Sequence, residues 1–213
     1  MSPRTSLRAA RQELAAADPI MGKLIKRLGD LSIATRRRKR PKEDAHGTLL
    51  RAIVGQQLSS KAAFTIYGRV QELFGGRTPS PQEVLDADPD ALRAAGLSGR
   101  KVEYIQDLAR HVASGELEVD RFVRLSDAEI IEEITAVRGL GVWTAHMFMM
   151  FHLERPDVLP VGDLGIRAAA RNEYGLDDLP APAELEEIAE PWRPHRTLAC
   201  IYLWGSLANE PDV

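Results

Sequence analysis

Two glycines set two residues apart, Gly139 and Gly141 in Val137-Arg138-Gly139-Leu140-Gly141-Val142, stand just before a segment of helical character. A single aspartate, Asp163, follows after a loop punctuated by Pro160 and Gly162. Glycine permits φ > 0 and lets a second backbone approach closely. A helix starting at Val142 exposes unpaired N–H groups at its N-terminus, where the positive end of the helix dipole also lies. Those donors suit an anion, and a phosphate oxygen fits them well. Asp163 stands where the next helix should begin, with Ile166, Ala169 and Ala170 spaced as its apolar face. It can be the N-cap of that helix, the usual role of an aspartate there. It can also be a carboxylate that stabilises positive charge developing in a reaction, or that positions a water. The residues alone leave both readings open.

The elements that must hold these groups read as helices throughout. Ser126–Ala136 has Ser126 as N-cap and Glu129 completing a capping box, so the local pattern is helix, glycine hairpin, helix. Upstream, Ser6–Ala17 reads as a first helix, and Asp18-Pro19 supply N-cap and N1 for a second that stops at Gly29. Asp44–Gln56 forms a third, with Leu49, Leu50, Ile53 and Val54 at helical spacing; Ser59 or Ser60 caps a fourth that ends at Gly75-Gly76. Ser80-Pro81-Gln82-Glu83 is a capping box with proline at N1, Asp88-Pro89 opens a short helix ending at Gly96, and Ser98–Ser114 is a longer one. Beyond Asp163, Pro182–Glu190 is acidic, and Pro194–Leu207 carries Leu198, Ile201, Tyr202 and Trp204 inward. No segment alternates with period two over a strand's length, so the expected fold is all-α.

The 213 residues are enough to bury a sizeable core in one domain or two small lobes. Hydrophobic residues make up 44% and charged residues 28%, with no apolar run near the length of a membrane span and no signal-peptide pattern. One cysteine, Cys200, excludes an intrachain disulfide, a multi-cysteine zinc site and a four-cysteine iron–sulfur cluster, and points to a cytoplasmic compartment. His46, His111, His146, His152 and His195 show no metal-ligand spacing. The net charge of −3 hides an uneven distribution, with Arg36–Arg40 reading RRRKR and Glu173–Glu190 holding no Lys or Arg. The basic run serves either as a solvated loop or as a contact to backbone phosphate.

The glycine hairpin followed about twenty residues later by an aspartate resembles the helix-hairpin-helix (HhH-GPD) DNA glycosylase superfamily, whose hairpin reads L-x-G-h-G-x-x-T-A, h being apolar. Here it stands as Val137 to Ala145, with Val137 in place of the leucine. Arg51–Ser60 (RAIVGQQLSS) resembles the family's A-I-x-G-Q-Q-h-S segment, and Gly96–Ala109 (GLSGRKVEYIQDLA) its G-h-S-x-x-K-x-x-Y-h-x-D-h-A segment. The resemblance runs from Asp44 to Trp204 and is nearest to the alkylation-repair branch, the 3-methyladenine DNA glycosylases of the AlkA and yeast Mag type. It implies a two-lobed all-α fold with the active-site cleft between the lobes, residues 46–155 forming the lobe with the hairpin and residues 1–45 with 156–213 the lobe with the aspartate. The N-terminal β domain of the AlkA type is not expected.

The same resemblance implies removal of cationic alkylated purines, such as 3-methyladenine and 7-methylguanine, from double-stranded DNA, leaving an abasic site. Asp163 is then the catalytic carboxylate, while Trp143, Trp204 and Met147 line the base pocket; Met147 stands where the AlkA type has tyrosine. Gln56 and Gln57 are the intercalating candidates, Gln57 the preferred one. Gly139, Gly141, Val142, Thr144 and Lys61 meet the DNA backbone, with Arg100 as a further phosphate contact. The main-chain carbonyls of Thr135, Val137 and Leu140 are the expected holders of a monovalent cation, Na+ or K+, and no other cofactor is expected. The implied partner is alkylated DNA and no membrane, and the protein should act as a monomer. A lyase of this family needs a lysine where Trp143 stands, and a non-enzymatic hairpin module needs neither the aspartate nor the tryptophans.

Overall fold

In a computed structural model, residues 6–34 and 43–207 are described, and the Arg36–Arg40 run lies outside them. Helices occur at α1 (Leu7–Ala17), α2 (Pro19–Leu28), α3 (Ala45–Gly55), α4 (Ser60–Glu72), α5 (Pro81–Asp86), α6 (Pro89–Ala94), α7 (Gly99–Ser114), α8 (Asp127–Ala136), α9 (Val142–Phe151), α10 (Leu164–Tyr174), α11 (Pro182–Ala189) and α12 (Arg196–Leu207). Single 3-10 turns occupy Val119–Arg121 and Glu190–Trp192, and there is no strand among the described residues.

The helix starts follow from short polar side chains. Ser6, Asp18, Asp44, Ser59, Ser80, Asp88, Ser98, Ser126 and Asp163 each accept a hydrogen bond from a first-turn N–H. Each such cap contributes about 1 kcal/mol to its helix. Ser59, not Ser60, is the cap of α4, and the capping boxes at Ser80 and Ser126 form as the sequence predicts. The last helix begins at Arg196 rather than Pro194, because the His195 N–H turns back to the Trp192 carbonyl at 2.7 Å.

The chain divides into two compact units, Met1–Arg40 with Met149–Val213, and Pro41–Phe148. The expected boundaries at residues 46 and 155 thus differ from the observed division, which falls within α9.

In the first unit the central element is α12, buried from Thr197 to Leu203 and again at Gly205 and Ser206. A helix apolar all round belongs in the middle of a core, and α1, α2 and α10 pack about it. Trp192 is fully buried, as expected of a core residue, and its indole N–H donates to Asp18 at 2.8 Å.

In the second unit α7 is the hub, packed by α3, α5 and α6. Val102, Ile105, Leu108 and Ala109 turn to the core with Leu49, Leu50, Ile53 and Val54 of α3, all buried. Burying a side chain of this size stabilises by about 1.5–3 kcal/mol. Phe122 and Phe148 meet edge to face, with ring centroids 5.4 Å apart.

Candidate functional site

In the first unit, a turn closed by the Asp163 N–H on the Pro160 carbonyl at 2.9 Å delivers Asp163 to the start of α10. Its Oδ1 accepts from the Ile166 N–H at 2.9 Å and from the Trp204 indole N–H, also at 2.9 Å. The N-cap geometry is therefore real, but the carboxylate is only 9% exposed. A neutral cap would do the same work without the cost of burying a charge, so the cap alone does not account for an acid here. Two N–H donors on one oxygen fix the plane of the group. Trp204, partly buried on α12, stacks on Phe151 with centroids 6.0 Å apart and an interplanar angle of 27°. Behind them the Cys200 thiol is buried, and burial, followed by the charge of Asp163, pushes it well above its ordinary range.

Gly165 explains how the indole reaches the carboxylate. A Cβ there would lie 3.2 Å from Asp163 Oδ1 and 3.3 Å from Trp204 Nε1, directly against the hydrogen bond. Gly165→Ala gains about 0.5–1 kcal/mol of helix propensity but must push apart a buried hydrogen bond, at a cost of about 1–3 kcal/mol, so the melting temperature should fall slightly. The displaced indole should also change the tryptophan fluorescence spectrum. Fluorescence beside a thermal melt checks this; parent-like values of both would mean that the methyl group is accommodated without moving the indole.

In the second unit, α8, the hairpin and α9 form the expected helix-hairpin-helix. Gly139 takes φ +84°, and a Cβ on it would stand 2.2 Å from the Tyr104 ring. Gly141 corrects the expectation of two left-handed glycines: it keeps an ordinary φ, and a Cβ on it would meet nothing within 4 Å. It is exposed, and its carbonyl accepts from the Ala145 N–H at 3.1 Å to start α9. Its lack of a side chain therefore leaves open space outside the protein rather than relieving strain within it.

Val142 and Trp143 are 50% and 51% exposed, and Met147, one turn on from Trp143, is partly exposed. Thr144, expected at the DNA backbone, is only 6% exposed and turns inward with Ala145. Its side chain is thus not a surface contact. Lys61 is exposed in the first turn of α4, and Arg100 in that of α7. In the hairpin the Val137 carbonyl accepts from the Leu140 N–H at 3.1 Å, and the Thr135 hydroxyl bonds back to Ile131 at 2.7 Å.

The turn between α3 and α4 separates the two glutamines. Gln57 is exposed with φ +57°, an uncommon conformation for a non-glycine residue that tends to mark functional turns. Gln56 does not share that exposure. Its side-chain amide donates to the Gly139 carbonyl at 2.6 Å, which ties it to the hairpin.

Three residues of α7 hold these loops, and no role follows for them from the sequence reading. Lys101 donates to the carbonyls of Val54 and Gln56 at 2.7 and 2.8 Å, and burial holds its ammonium below the ordinary lysine range. Tyr104 packs against Gly139. Buried Asp107 accepts from the Arg138 N–H at 2.9 Å. Burial raises the pKa of Asp107, but the Arg138 N–H and the Arg110 side chain, with the His111 and Arg110 charges, outweigh it and hold the carboxyl below its ordinary value. The spacing of three between 101, 104 and 107, which places them on successive turns of one side of α7, is the signal the sequence carried for them.

Among the described residues no group of three His, Cys, Asp or Glu side chains could hold a metal ion, and no helix is long and apolar enough to cross a membrane. The family model for HhH-GPD superfamily base excision DNA repair proteins matches residues 50–194. A relative from Schizosaccharomyces pombe, DNA-3-methyladenine glycosylase 1, is 35% identical over 94% of this chain and 87% of its own length. Among solved structures, the S. pombe 3-methyladenine DNA glycosylase Mag1 in complex with abasic DNA superposes with a TM-score of 0.84, at 33% identity, covering 96% of this chain and 98% of that one. A DNA-3-methyladenine glycosidase from Bacillus halodurans gives a TM-score of 0.83 at 37% identity, covering 99% and 94%. The helices, the glycine hairpin and the buried aspartate that follows it thus belong to one recognised architecture, and the chain is a member of the HhH-GPD superfamily of base excision DNA repair proteins.

Proposed function

We propose that this protein is a monofunctional DNA glycosylase that extrudes alkylated, cationic purines such as 3-methyladenine and 7-methylguanine from duplex DNA and hydrolyses their glycosidic bond, leaving an abasic site. The observation that carries the reading is the buried Asp163 carboxylate, fixed through one oxygen by Ile166 and Trp204. Relatives named 3-methyladenine DNA glycosylases, one of them solved on abasic DNA, support it.

The chemistry follows from the substrate. A positively charged N-alkyl purine is already a good leaving group, so little acid catalysis is needed. Extrusion costs roughly a few kcal/mol, and Gln57 fills the gap left in the stack. The flipped base is received on an aromatic face, for which Trp143, with Met147 one turn on, and Trp204 are the candidates, and its charge gains about 0.5–2 kcal/mol there. As the bond lengthens, the sugar acquires oxocarbenium character. Asp163 stabilises that charge from a position set before the reaction and orients or deprotonates the attacking water.

Gly139, Gly141 and the N–H groups at the start of α9, including those of Val142 and Thr144, bind the DNA backbone, with Lys61 and Arg100 as further phosphate contacts. The carbonyls of Thr135, Val137 and Leu140 lie where the negative end of α8 meets the hairpin, a donor set of oxygens suited to Na+ or K+. Such an ion would add one positive charge toward a phosphate. The working form is a monomer in the cytoplasm, on alkylated duplex DNA.

Incubation with methylated duplex DNA should release 3-methyladenine and 7-methylguanine much faster than neutral 8-oxoguanine is released. Equal single-turnover rates for cationic and neutral bases would refute the pocket. The strand should also stay intact, because position 143 holds tryptophan rather than an imine-forming lysine. Borohydride should therefore trap no covalent protein–DNA adduct, and a good yield of adduct would contradict hydrolysis by water.

A further inference from the structure

The segment Ser98-Gly99-Arg100-Lys101-Val102-Glu103-Tyr104-Ile105-Gln106-Asp107 repeats a family pattern, yet only Arg100 among its side chains enters the reading above, as a phosphate contact. Three of them face the two loops that would touch DNA. The Lys101 ammonium donates to the carbonyls of Val54 and Gln56, at the C-terminal end of α3, where the helix dipole favours a cation. The Tyr104 ring fills the space a Cβ on Gly139 would need. The Asp107 carboxylate takes the Arg138 N–H. Gln56 closes the circuit, its carbonyl held by Lys101 and its side chain holding the Gly139 carbonyl.

We propose that Lys101, Tyr104, Asp107 and Gln56 form a brace that locks the exposed Gln57 turn to the glycine hairpin, so that wedge and backbone grip engage the duplex as one rigid body. The proposal rests on the DNA-repair reading above. All three hydrogen-bonding members of the brace act on main-chain atoms, so they set where the loops stand whatever side chains the loops carry. A lysine spent on two carbonyls is a costly way merely to fill space, since its charge is desolvated without a carboxylate partner. The cost is explicable if position is what it secures. Unstacking a base pair opposes the wedge by roughly a few kcal/mol, and a turn free to yield would relax before the base did. The four are positioning residues, since none of them is assigned to the reacting atoms.

The test uses the full chain and a duplex carrying a tetrahydrofuran abasic analogue opposite 2-aminopurine, whose fluorescence rises when it is unstacked. Bound parent protein should raise that signal, and Gln57→Ala should abolish most of the rise. Gln56→Met and Lys101→Met should each reduce the rise, and the single-turnover release of 3-methyladenine, by about fivefold, the scale of one lost hydrogen bond. Lys101→Arg keeps two donors and should restore most of both. Should Lys101→Met fail to fold, Gln56→Met, altered at a partly exposed side chain, still decides the matter. Parent-like fluorescence in folded Gln56→Met or Lys101→Met overturns the brace, as does a Lys101→Arg no better than Lys101→Met. A retained signal in Gln57→Ala also overturns it, because the wedge would then lie elsewhere. In each of those cases the parent still releases methylated bases, whereas a parent that neither releases them nor perturbs 2-aminopurine overturns the repair reading together with the brace.

Discussion

Asp163→Asn should lower single-turnover release of 3-methyladenine by at least about 10²-fold, the scale seen when one preorganised electrostatic group is removed from an active site. The substitution is informative because the structure gives Asp163 two tasks. As N-cap it accepts from Ile166, and as an oriented acid it accepts from the Trp204 indole. Asparagine presents a carbonyl oxygen of the same reach, so both hydrogen bonds can persist. As a cap it is about equal to aspartate, within a few tenths of a kcal/mol. Only the negative charge is lost. The melt should therefore stay close to that of the parent, and binding to abasic duplex should change little, since Asp163 is not among the proposed DNA-gripping residues. Cys200 gives an independent handle, because part of the upward shift of its thiol comes from the Asp163 charge. A variant that folds normally and still excises within a few-fold of the parent rate would return Asp163 to the role of a cap.

Much of the frame could be read from the chain because helix starts are written locally. Ser126 with Glu129, Ser80 with Glu83, and Asp18 before Pro19 are interactions within three residues, and each forms where the pattern put it. The contacts that turn helices into a site span far more sequence. Trp204 and Asp163 are 41 residues apart, and Gln56 and Gly139 are 83 apart. The resemblance preferred Gln57, but no local rule gives the physical reason why the two adjacent glutamines differ. The distinction exists only because Gln56 finds a hairpin carbonyl while Gln57 turns into the left-handed region. Gly165 was equally silent, since its reason is the arrival of an indole from α12. Thr144 matched the motif, yet its position on the inner side of α9 buries its side chain. The hairpin glycines show the same limit, because a repeated residue type conceals two different physical requirements.

Those requirements predict different melts for one added methyl group. Gly139→Ala places a Cβ at φ +84°, where an L-residue is strained by about 1–2 kcal/mol, and sets it 2.2 to 2.5 Å from Tyr104 ring atoms. Relieving that overlap must move the ring or the hairpin, which in packed interiors costs about 1–3 kcal/mol. Gly139→Ala should therefore melt roughly 5–15 °C below the parent. It should also lose abasic-duplex binding, because the Gly139 carbonyl held by Gln56 and the Arg138 N–H held by Asp107 are carried along. Adding Tyr104→Ala removes the overlap but not the strained φ. The double variant should thus be more stable than the sum of the single losses by about 1–2 kcal/mol, a coupling typical of residues in contact. Gly141→Ala meets no protein atom within 4 Å and keeps an ordinary φ, so its melt should match the parent while duplex binding weakens, the methyl group standing where a phosphate would approach. Thermal melts of the four variants beside an abasic-duplex titration decide the matter. A Gly139→Ala protein that melts like the parent, or a Gly141→Ala protein that binds like it, would show that the hairpin glycines are not divided between fold and grip.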